Sequence, residues 1–75
     1  MQELIEYIAR NLASKPDEVR VTSEMEDDRI ILRLEVAAED KGKIIGRQGR
    51  VAQAMRTILR VAAIKEGSRV ILEIV

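Results

Sequence analysis

Six cationic side chains, Lys41, Lys43, Arg47, Arg50, Arg56 and Arg60, fall between residues 41 and 60 with no carboxylate among them. Inside that stretch Gly46-Arg47-Gln48-Gly49 forms a G-x-x-G spacing. Gly46 is placed to close one helix in a left-handed conformation. Gly49, lacking a side chain, lets a sugar-phosphate backbone approach the main chain. Arg50 then opens a second helix, whose unpaired N–H groups and positive dipole end face the same point. The chemistry implied is capture of a run of phosphates by main-chain donors and charge. Ile44 and Ile45, directly before the motif, supply apolar surface for a narrow groove beside that clamp.

Other phosphate templates fit poorly. A Walker loop needs four residues between its glycines followed by Lys-Ser or Lys-Thr, whereas Gly42 and Gly46 are three residues apart and precede Arg47-Gln48. The first G-x-G of a dinucleotide fingerprint is missing, so no nucleotide cofactor is expected. Catalysis is disfavoured as well. The chain has no His and no Cys, and Ser14, Ser23 and Ser68 therefore lack the commonest activating base. Glu26-Asp27-Asp28 lacks the spaced oxygen ligands and glycine of a calcium loop and reads as a solvated turn, with no metal.

The elements that must position the loop follow from periodicity. Leu4, Ile5, Ile8, Ala9 and Leu12 share one side of a helix that must stop near Ser14 or Lys15, before Pro16. Val19, Val21 and Met25 alternate with polar residues as a strand, and after the acidic turn Ile30, Leu32, Leu34 and Val36 alternate again, giving a hairpin. A short helix is expected from Glu39 to Ile45, with Glu39 and Asp40 in its first turn. A longer one runs from after Gly49 to about Lys65, where Gly67 stops it, and Val70, Leu72 and Ile74 form a last strand. The order α-β-β-α-α-β predicts a two-layer α+β fold, a three-stranded sheet with helices on one face, formed as a single domain by residues 1–75.

The net charge of zero conceals a division. Residues 1–40 carry 5 cations and 11 carboxylates, while residues 41–75 carry 8 and 2. The basic half is the half that holds the loop. The acidic start, Met-Gln-Glu-Leu-Ile-Glu, is unlike a signal peptide, and no apolar run approaches a membrane span, so a cytoplasmic protein without membrane contact is expected.

The segment Gly42 to Val51, with Ala54-Met55-Arg56-Thr57, resembles the core of a KH domain, and more narrowly the small bacterial single-domain KH proteins of the KhpA-like family. Lys15-Pro16-Asp17-Glu18-Val19, Glu39-Asp40 and the closing strand extend the likeness over nearly the whole chain. The resemblance implies the type II KH arrangement and binding of about four unpaired RNA nucleotides in a groove beside the loop. It implies a clamp of Gly46, Arg47, Gln48 and Gly49, charged flanks at Lys43 and Arg50, and an apolar floor that includes Ile45, with Ile44 beside it. Lys41, Gln53 and Arg56 are candidates to extend the surface. A role as RNA chaperone or post-transcriptional adaptor is expected, without a small-molecule substrate. Tyr7, the one aromatic residue, reads as a partly buried packing residue at the edge of the first helix.

On the long helix Val51, Ala52, Ala54, Met55, Ile58, Leu59, Ala62 and Ala63 make an apolar sector of about 200°, wider than a single packed layer needs. Packing on both the sheet and the first helix would account for it. Val61 and Ile64 lie at or beyond its margin, which marks the end of this helix for a protein partner, including a second copy in a homodimer; the family resemblance implies a heterodimer with a larger KH-containing protein. A helix-turn-helix use, with Arg50, Gln53 and Arg56 in a DNA major groove, and a protein-interaction domain without nucleic acid are the alternatives.

Overall fold

In a computed structural model describing residues 1–75, α1 spans Gln2–Leu12, β1 Arg20–Glu26, β2 Arg29–Glu35, α2 Lys41–Ile45, α3 Arg50–Glu66 and β3 Arg69–Ile74. Short 3-10 turns occupy Pro16–Glu18, Ala38–Asp40 and Arg47–Gly49. The sheet order is β1-β2-β3, with β1 antiparallel and β3 parallel to β2. The parallel pair requires a crossover, and α2, the loop and α3 are that crossover. The α+β order read from the sequence is the order observed.

One face of the sheet is buried under the helices. Val21, Leu32, Leu34 and Leu72 meet Ile5 and Ala9 of α1, Ile44 of α2, and Met55 and Leu59 of α3 in one cluster. The first helix ends earlier than Pro16 alone requires: Leu12 is its last residue and Ala13 is already extended. Its buried stripe is narrow, with Ile5 and Ala9 enclosed while Leu4 and Leu12 stay partly open. Ser68 N–H bonds back to Ala63 O at 2.9 Å and closes α3 where Gly67 was expected to end it.

Three packing expectations fail. Met25 is 71% exposed, because α1 covers only the Val21 end of β1, where Gln2 Nε2 donates to Val21 O at 2.7 Å. Tyr7 is 69% exposed and packs little. The wide apolar sector of α3 is only partly used: α3 rests mainly on β3 and α2, leaving Ala54, Ile58 and Val61 open to solvent.

The uncovered face of the sheet neutralises itself. Arg33 on β2 pairs with Glu24 on β1 and, at 3.0 Å, with Glu73 on β3, tying all three strands. Those two carboxylates, Glu24 first, raise the Arg33 pKa above its ordinary value. The bridges are exposed and add little to stability, but they leave no free cation at Arg33.

Candidate functional site

The site begins where α2 ends. Gly46 N–H closes α2 on Gly42 O at 2.9 Å, and Gly46 adopts φ 80° and ψ 171°, a region essentially closed to side chains. Its positive φ was expected, but the extended ψ is not the left-handed helical cap. The 3-10 turn follows, held by Gly49 N–H to Gly46 O at 3.1 Å, with Gln48 at φ 57°, ψ 26° and Gly49 at φ 74°, ψ 14°. Arg50 then starts α3 with no side chain capping its first turn, so donors of that turn remain for a ligand.

Around this loop Lys41, Lys43, Arg47, Gln48, Arg50, Gln53 and Arg56 are all exposed, and Ile45 is 39% exposed beside them. Ile44 is placed otherwise. It is fully buried in the core and lines no groove, because neighbouring helix positions point about 100° apart and only one of two isoleucines can face outward. Ile44 anchors α2 to the sheet, and Ile45 is the one left at the surface.

A groove of about 510 Å³ lies between α3 and β3. Leu59, Ala63, Val70 and Leu72 are among its apolar lining, and its charged residues are Arg29, Arg56, Arg60 and Arg69, with no carboxylate. Arg56 stands six residues, roughly 9 Å along the helix axis, beyond Arg50. Gln53, between Arg50 and Arg56, lies on the same flank of α3 as Arg56 and Arg60 but outside the groove lining. Sequence reasoning missed Arg29, Ser68 and Arg69. Arg29 and Arg69 are register partners on β2 and β3, a neighbourhood created only by the parallel pairing. Neither Ile44 nor Ile45 forms the floor of this groove.

Ion pairing separates these cations from the rest. Arg10, Lys15, Arg29 and Arg33 each have a carboxylate within 4.0 Å. All eight cations after Asp40 have none. The internal neutralisation of the chain is therefore spent in its first half, Arg29 of the groove included, and the loop with Arg56, Arg60 and Arg69 keeps its positive charge for an external anion.

Asp40 fixes the base of α2. It is wholly enclosed, and rather than capping α2 it reaches back to the turn after α1. Its Oδ1 accepts from Ser14 Oγ at 2.6 Å and Ser14 N at 3.0 Å, and Oδ2 from Lys15 N at 3.0 Å. The Ser14 hydroxyl first, then the Ser14 and Lys15 amides and nearby Lys43, hold its carboxyl below the ordinary 3.8 despite the opposing effect of burial. A carboxylate with a depressed pKa stabilises the fold above its unfolded value, and that contribution is lost as pH falls through the folded one. Asp40→Asn removes the charge and turns one acceptor into a donor facing N–H groups. Thermal melts at pH 7 are expected to show Tm lowered by roughly 5–15 °C, with a smaller further loss below pH 3.8 than in the parent protein.

A family model described as KhpA/KhpB, KH domain matches residues 2–74. The chain is 51% identical over 75 residues to "RNA-binding protein KhpA" of Clostridium acetobutylicum, covering 100% of both chains, and 51% identical over the same span to the protein of that name from Caldanaerobacter subterraneus subsp. tengcongensis, again covering 100% of both. It is 42% identical over 74 residues to the Bacillus subtilis protein of that name, covering 99% of this chain and 91% of the relative. No solved structure matches it. With a helix-loop-helix crossover built around Gly46 and Gly49, and a family match from end to end, the chain belongs to the KhpA/KhpB family of KH domains.

Proposed function

We propose that the protein is a non-catalytic module that binds single-stranded RNA. Phosphates sit against the turn Gly46–Gly49 and the charges of Lys43, Arg47 and Arg50, with Lys41 and Gln53 at the margin. Unpaired bases lie along the groove toward Arg56, Arg60 and Arg69. The observation that carries this reading is the groove lining: four arginines and no carboxylate, in a chain whose net charge is zero. Relatives that align over their full length are named RNA-binding proteins, which supports the same ligand. A narrow groove with aliphatic walls suits single bases better than a duplex, and no exposed ring beside it is needed for stacking.

The test is binding of the wild-type protein to an unpaired RNA of about eight nucleotides and to a duplex DNA of the same sequence, read by fluorescence anisotropy. The single strand is expected to bind at least tenfold more tightly. With three or four phosphate contacts its affinity falls roughly thirtyfold between 50 and 200 mM salt. Preference for the duplex would favour a helix-turn-helix use instead.

A groove for about four nucleotides carries limited specificity, so a partner matters to the proposed role as chaperone or adaptor. Ala54, Ile58 and Val61, with Lys65 one turn on, form an exposed stripe on the flank of α3 away from Arg56 and Arg60 and in line with Arg50. We assign that stripe to protein contact, with a second copy or a larger KH-containing protein, on the side of α3 away from the groove. No helix is long and apolar enough to cross a membrane, and a cytoplasmic role fits an RNA ligand.

A further inference from the structure

We infer that Asp40 and Ser14 are positioning residues for the RNA clamp, fixing the direction in which α2 delivers Gly46 to Gly49; this rests on the RNA-binding reading above. Asp40 is the one polar or charged side chain that is fully buried. For stability alone an enclosed charge is a poor device, because the cost of taking it out of water offsets much of what its hydrogen bonds return. What such a group supplies is direction. Its three donors, Ser14 Oγ, Ser14 N and Lys15 N, belong to the turn after α1, and a carboxylate held through both oxygens admits one orientation. The Lys15–Glu39 pair joins the same two turns at 2.8 Å, but it is exposed and does not replace the buried bonds.

The helix that follows Asp40 needs its direction set from outside. α2 has 5 residues, too few to hold an axis by its own hydrogen bonds, and Ile44 is the one residue of it that is buried. A single apolar contact fixes how near α2 lies to the sheet and leaves it free to pivot there. Asp40 is the second fixed point. The far end of α2 has little tolerance, since Gly46 lies so close to Val51 that a Cβ would overlap Val51 Cγ2. A change of direction at Asp40 is therefore felt at the turn, and it carries the exposed Lys43 and Ile45 with it.

Ser14→Ala removes the hydroxyl and leaves every charge and both amides in place. In anisotropy titrations well below its melting temperature it is expected to bind unpaired RNA about three- to fivefold more weakly than the parent, with the same salt dependence. Ser14→Thr restores a hydroxyl and is expected to return to within about twofold of the parent. Backbone amide shifts of the free Ser14→Ala protein are expected to change from Lys41 to Gly49. Val21→Ala, a core change on β1, is expected to lower Tm at least as much while RNA affinity stays within about twofold, which separates positioning from general stability. Unchanged affinity for Ser14→Ala, no recovery in Ser14→Thr, shifts confined to the neighbours of residues 14 and 40, or an equal affinity loss in Val21→Ala overturns the inference and leaves RNA binding in place. Failure of the parent protein to bind overturns the RNA-binding reading itself.

Discussion

Replacing Arg47 and Gln48 together with aspartate is expected to weaken binding of unpaired RNA by roughly a hundredfold, about 2.7 kcal/mol, while leaving Tm within about 3 °C of the parent. The affinity loss follows from charge. One cation and one neutral side chain become two anions on the turn where phosphates approach, so attraction is replaced by repulsion beside a helix N-terminus. The fold survives because neither side chain supports it. Both are exposed, Arg47 forms no ion pair, and Gln48 gives up only a long 3.5 Å contact from Arg50. The backbone also accepts the change at residue 48, since φ 57° is a conformation that aspartate tolerates better than most residues. Anisotropy and a thermal melt on the same sample check both halves, and unchanged affinity with an intact fold would remove the loop from the binding surface.

The second large effect concerns stability and separates the two loop glycines. Gly46→Ala is expected to cost roughly 3–4 kcal/mol, from backbone strain of about 1–3 kcal/mol and overpacking of similar size. A Cβ on Gly46 would overlap Val51 Cγ2 and stand 2.9 Å from both Val51 Cβ and Val51 N. The last of these is backbone at the start of α3, which cannot yield without moving the helix. Gly49→Ala is a different case. Its Cβ would meet nothing within 4 Å, so only the positive φ of 74° resists, at about 1–2 kcal/mol. That methyl would occupy open space. Gly46 thus serves the chain's own packing, whereas Gly49 leaves open the space where the proposed ligand approaches. Urea unfolding of the two variants tests the contrast, and equal losses would contradict it.

Much of this was legible in the sequence because it rests on local rules. The helix and strand order follows from periods of 3.6 and 2, from Pro16, and from glycines at 46, 49 and 67. The positive character of residues 41–60 follows from six cations without a carboxylate. What escaped depends on contacts between distant residues. Arg29 lies in the acidic half, directly after three carboxylates; only the parallel pairing of β2 with β3 sets it beside Arg69 at the groove. Asp40 reads in the sequence as an acidic residue in the first turn of the short helix, and its true partners, Ser14 and Lys15, are 26 and 25 residues away. Ile44 and Ile45 look alike as a pair, and the helix splits them between core and surface. Alternation marked Met25 as buried, but alternation reports which face a residue is on, and the hairpin end of that face has no helix above it.

The charge division has a consequence for how the molecule meets its ligand. Four of five cations in residues 1–40 are bound to their own carboxylates, and all eight in residues 41–75 are free. Attraction for a polyanion then comes mainly from the loop, the helices flanking it and the start of β3, and a chain with no net charge avoids indiscriminate binding to polyanions.

If loop and groove act together as one RNA surface, titration with unpaired RNA followed by backbone amide chemical shifts will show shifts concentrated at Gly46 to Arg50, along the flank of α3 bearing Gln53, Arg56 and Arg60, and at Ser68 to Leu72. Shifts centred instead on Arg20 to Glu24 of the open sheet face, or on Ala54, Ile58 and Val61, would contradict it.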